Sequence, residues 1–100
     1  VETAVLGEKM KPISIEKIDD SHYQVTIHYT PVTTHIVTVT ADYAQKLTTG
    51  KVNVETLLEK SFEFLLEREP NTSILRSFEL SVINRYFPEY EREIVHKLGV

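Results

Sequence analysis

The chain contains no cysteine, which removes disulfide staples, thiolate metal sites and thiol catalysis together. Its glycines are only Gly7, Gly50 and Gly99, far apart. They cannot build a glycine-rich phosphate cradle, a dinucleotide-binding turn or a nucleophile elbow. Apolar runs do not exceed three residues, as at Phe64–Leu66, against the roughly 20 needed to span a bilayer, so no membrane association is expected. The first residues carry Glu2 and no long apolar stretch, unlike a secretory leader. Basic residues are also in deficit. With 11 against 15 acidic residues the formal charge is −4, which opposes the attraction behind most non-specific nucleic-acid affinity, and no nucleic acid is expected as a partner. No cofactor motif is present, and the lack of cysteine suits a cytoplasmic protein.

What is present is a change of hydrophobic period near residue 41. A 100-residue chain that is 41% apolar suits one small core. Residues 1–12 read as an N-terminal extension that either adds a strand or precedes a native start at Met10, and residues 13–100 read as a single α+β domain. Up to Thr40 the pattern alternates with period two. Residues 13–17, 23–30 and 35–40 are rich in β-branched and aromatic side chains and are separated by the turn residues Asp19–Ser21 and Pro31–Thr33. Placing the apolar residues on one face sets Ile13 opposite Ile27 and Ile15 opposite Val25. A three-residue second loop then sets Val25 opposite Val39 and Ile27 opposite Val37, and a five-residue loop is an alternative that keeps the same faces. The other face is polar.

From Val54 onward the spacing is helical. A three-stranded antiparallel meander followed by three to four helices packed on one face is therefore the expected architecture. Ala41–Leu47 reads as a short helix stopped by Gly50. The principal helix is expected over 54–67, capped by Asn53 and ended by Pro70. Ile74–Phe78 and Ser81–Phe87 read as short helical segments, the second capped by Ser81. The last helix is expected from Pro88 to a stop at Gly99, with Tyr90, Ile94 and Leu98 inward.

The candidate chemistry is sparse. Four histidines invite a metal reading, but the register turns His28 to solvent and His35 to the sheet's other face or a loop, so no metal site is expected. Glu55, Glu59, Glu63 and Glu67 recur at four-residue spacing, which costs about 0.2–0.5 kcal/mol per like-charged pair on an isolated helix. They read as a solvated stripe, with arginines from packed neighbours as an alternative compensation. Two surfaces read as interaction sites for a protein partner or a homodimer. One is the edge of the third strand, where His35, Ile36, Thr38 and Thr40 lack a guarding lysine or proline. The other is the aromatic cluster with Arg85, Tyr86 and Tyr90, made of hot-spot residue types, for which core packing of Phe87 and Tyr90 is the stronger reading. A non-enzymatic interaction or accessory module is the leading expectation. The alternative is a ligand-binding domain or small enzyme using carboxylates and hydroxyls around Tyr23, Tyr29, Glu63 and Arg68.

At SFEFLLEREP (Ser61–Pro70), SIL (Ser73–Leu75) and YFPEYE (Tyr86–Glu91) the chain resembles a group of small, uncharacterised bacterial proteins. The resemblance covers mainly residues 23–94. It implies a bacterial source and transfers no activity and no functional residue.

Overall fold

Alternation in the first half does produce the meander. The computed structural model describes residues 12–99; apart from Pro12, the expected N-terminal extension lies outside them. Strands β1 (Ile13–Lys17), β2 (His22–Ile27) and β3 (Thr33–Thr38) run antiparallel in the order β1-β2-β3. The first hairpin has the expected register, Ile13 opposite Ile27 and Ile15 opposite Val25. Its turn is organised by Asp19, whose Oδ1 accepts from the backbone amides of Ser21 (3.0 Å) and His22 (2.9 Å). This is the local hydrogen bonding that makes Asp a turn residue.

The second hairpin takes the five-residue alternative rather than the three-residue loop. Val25 lies opposite His35 and Tyr23 opposite Val37, so the connection is the five residues 28–32, which contain a cis Thr30–Pro31 peptide. The displacement from the expected pairing is even, so Val25, Ile27, Val37 and Val39 still face inward and are buried. His35 has the same parity, and it is buried in the core rather than turned to the other face or a loop. Val39 runs past the strand and donates its amide to Ser21 O (2.7 Å).

The larger correction is a fourth strand. Residues 74–78 are not helical: β4 (Ser77–Glu79) pairs parallel to β3, with Ile36 opposite Ser77 and Thr38 opposite Glu79. The unguarded edge inferred for the third strand is thus covered by the chain itself. An open row of amides and carbonyls next to an apolar strand is a pairing template, and the template is filled here by a three-residue segment too short to show a period of its own.

Helices cover the inward face. Helix α1 (Ala41–Thr48) starts at Thr40, whose side chain accepts from the Tyr43 amide. It ends with Thr49 at φ 51°, so the left-handed stop falls on Thr49, with Gly50 following at φ 74°. Helix α2 (Val54–Leu66) is capped as expected by Asn53, whose Oδ1 accepts from Thr56 N (2.7 Å). Leu57, Leu58, Phe62, Phe64 and Leu65 are all buried. Each such side chain contributes on the order of 1.5–3 kcal/mol, which makes α2 the helix that anchors the core. After 3₁₀ turns at Asn71–Ser73 and Leu80–Val82 come a single turn α3 (Ile83–Tyr86) and helix α4 (Tyr90–Leu98). Ser81 lies inside the second 3₁₀ turn and caps nothing. Pro88 precedes α4, which begins two residues later than expected and stops at Gly99, φ 73°. Tyr90 and Ile94 form its fully buried stripe.

Buried side-chain polar atoms are all partnered among the described residues, as a core of this size requires. Tyr90 Oη lies 2.7 Å from Ser61 Oγ, which itself donates to Leu57 O. With the serine proton so used, the tyrosine is the donor to Ser61. Burial raises the Tyr90 phenol well above the ordinary tyrosine value, keeping it a donor.

Candidate functional site

Closure of the β3 edge draws residues 71–77 over the end of α2, and a polar network fixes them there. His35 Nδ1 donates to Leu75 O at 2.7 Å. A carbonyl only accepts, so the ring proton resides on Nδ1 and Nε2 accepts from Thr33 Oγ1 (3.0 Å). Asn71 Nδ2 donates to Thr33 Oγ1 and Pro31 O, both at 2.9 Å. The ring of His35 also packs on Phe62, centroids 5.6 Å apart. The histidine is a structural tie between β3 and the following segment, with both ring nitrogens occupied.

Beyond this tie the molecule leaves a groove of about 250 Å³. Leu65 at the end of α2, Phe78 on β4, and Ile74, Ile83 and Phe87 supply apolar walls. Leu75 and Tyr86 also line it, and they are 47% and 66% exposed, although each is large and apolar enough to favour burial. Within these walls sits one carboxylate, Glu69. Its side chain has no hydrogen bond or ion pair among the described residues, and partial burial raises its pKa above the ordinary 4.5. Desolvation without a counter-charge is the whole cause.

The neighbouring acids behave differently. Arg68 reaches Glu89 (3.1 Å), Glu67 (3.3 Å) and Glu93 (3.4 Å) with its guanidinium 3.6 Å above the Phe64 ring. Lys97 adds a contact to Glu67 (3.1 Å), and Lys60 lies 3.6 Å from Glu63. Part of the expected carboxylate stripe is therefore compensated from within the fold, and Lys97 and Arg68 hold the Glu67 carboxyl below its ordinary value.

Of the residues singled out in the sequence, Tyr86 and Arg85 are exposed and Tyr86 lines the groove. Tyr90 is wholly buried and cannot meet a partner. Ile36 and Thr38 are engaged opposite β4, and Thr40 is the cap of α1. The groove residues missed in the sequence are Glu69 and Leu75. Nothing in their spacing marks them, because the groove is created by the unanticipated path of residues 71–79. Tyr23, Tyr29, Glu63 and Arg68 are not gathered: Tyr23 is in the core and none of the four lines a cavity described here.

A second, wider depression of about 470 Å³ lies between Pro31–His35 and Asn71–Arg76. Its buried polar groups, His35 and Asn71, already bond each other's surroundings, so they do not converge on a ligand. No group of three or more His, Asp or Glu side chains placed to hold a metal occurs among the described residues. No helix there is long and apolar enough to cross a membrane. No protein-family profile, curated protein or solved structure matches this chain.

Proposed function

We propose that this domain is a non-enzymatic protein-interaction module whose docking site is the groove between the end of α2 and residues 73–87. One observation carries this reading: two exposed apolar side chains, Leu75 and Tyr86, flank apolar walls that enclose an unpaired carboxylate, Glu69. Exposed apolar surface beside a groove is costly to keep in water and marks an interaction surface, and tyrosine is among the residues that carry binding energy. The groove is smaller than the roughly 300 Å³ lower bound of pockets for whole small molecules, and its size suits a side chain delivered by a larger partner. A cytoplasmic setting fits a cysteine-free domain of this kind, and a bacterial source is what the resemblance at Ser61–Pro70 and Tyr86–Glu91 implies.

The test is affinity capture from source cells, wild type against the double variant Leu75→Ser/Tyr86→Ser, with mass spectrometry. A protein retained by the wild type and lost on the double variant supports the reading. Identical captured sets on both would place any interaction elsewhere.

A further inference from the structure

We infer that the partner docks as an extended segment, adding a fifth strand to the free edge of β4 and presenting a lysine or arginine to Glu69. This rests on the groove being the docking site and deepens it by naming the form and charge of the occupant.

The backbone supplies the first part of the argument. Ile36 N donates to Arg76 O at 2.8 Å, which sets the phase of the parallel ladder. Ile36 and Thr38 then bond to Arg76 and Phe78, and the alternate residues Ser77 and Glu79 turn away from β3. Glu79 leads directly into the following 3₁₀ turn. The outward edge therefore offers Ser77 N–H, Ser77 C=O and Glu79 N–H. Both residues are exposed, and among the described residues these groups have no hydrogen-bond partner. Strand addition uses such a row for affinity and side-chain pockets for selectivity.

The side chains supply the second part. Phe78, between these two residues, turns inward to meet Phe62 (centroids 6.0 Å) and lines the groove. A strand laid beside β4 would send alternate side chains to that same face, where Ile74 and Tyr86 offer apolar contact. Glu69 selects the charge. A carboxylate with a raised pKa and no counter-charge is stabilised by an incoming cation, whereas an acidic or wholly apolar segment would leave it unpaired. The domain's formal charge of −4 favours approach of the same basic segment.

The experiment is selection from a displayed random-peptide library on the folded domain, followed by binding of the selected peptides to variants. The selected peptides should alternate apolar and other residues and carry a lysine or arginine. Ser77→Pro and Glu79→Pro each remove an outward N–H from an edge strand, where proline is tolerated, and should weaken binding by roughly tenfold. Glu69→Gln should weaken it by roughly threefold and flatten its salt dependence. Circular dichroism and thermal midpoints verify that each variant is folded, and N-methylation of the peptide backbone repeats the edge test without altering the protein. Peptides that lose binding on Leu75→Ser/Tyr86→Ser, yet bind the proline variants and the N-methylated backbone normally, would overturn strand addition while leaving the groove as the docking site. Selected peptides indifferent to all of these changes would overturn both.

Discussion

The imidazole of His35 donates through Nδ1 to the carbonyl of Leu75, 2.7 Å away, so the residue that holds the groove's rim in place is buried in the core. Removing it should affect stability and binding together. His35→Ala deletes the bonds to Leu75 O and Thr33 Oγ1 and the packing on Phe62, for a combined cost of about 2–4 kcal/mol. Hydrogen exchange should show faster opening of residues 71–79. Long-range ¹⁵N–¹H spectra of the wild type should show the proton on Nδ1; an Nε2–H ring would contradict the network.

The interior of the helical layer can be dissected at two residues. Phe62→Ala should cost about 3–5 kcal/mol, enough to unfold much of a domain this small. Tyr90→Phe should cost only about 0.5–1.5 kcal/mol, because Ser61 keeps its donation to Leu57 O and no donor is orphaned. Chemical denaturation measures both. Equal losses at the two positions would contradict the packing described.

Glu69 gives a pH prediction with a definite sign. Its carboxyl is raised above 4.5 in the folded chain by burial, so the folded state holds the proton more tightly than the unfolded state. Its stabilising share is present below about pH 4.5 and is lost as pH rises through the folded value. Glu69→Gln should therefore raise the thermal midpoint relative to wild type at about pH 7 and leave it nearly unchanged at about pH 3. A variant less stable than wild type at neutral pH would show that the carboxylate has a counter-charge.

Arg68 is predicted to matter through several partners at once. Arg68→Met keeps an apolar stem over Phe64 but leaves Glu67, Glu89 and Glu93 without their shared cation. The expected loss is about 1–2 kcal/mol at low ionic strength, shrinking in about 1 M salt. Denaturation at the two salt concentrations checks it.

The strands with long alternation were legible in the sequence, and so was the register of the first hairpin, because a one-residue slip would expose Ile13, Ile15, Val25 and Ile27 together. The cap at Asn53 and the stop at Gly99 were legible for local reasons. The position of His35 was not, since its burial depends on a partner 40 residues away, the carbonyl of Leu75. Nor was β4: three residues contain no period, and the apolar spacing of Ile74, Leu75 and Phe78 imitates a helix turn. The open edge of β3 decided that segment's conformation. The site was half visible. Tyr86 announced itself as an aromatic beside arginine, whereas Tyr90, of the same composition, was taken into the core by its place on the inward stripe of α4. Leu75 and Glu69 became site residues only through the tertiary path.

The groove itself is tested most directly by measuring the affinity of a library-selected peptide for the wild type and for Leu75→Ser/Tyr86→Ser. Both substituted side chains are exposed, so the double variant should unfold within about 1 kcal/mol of the wild type, at about 0.5 kcal/mol for each substitution. Binding should fall by more than roughly tenfold, as expected when hot-spot contacts are removed. Undiminished affinity in a folded double variant would contradict the assignment of this groove as the docking site.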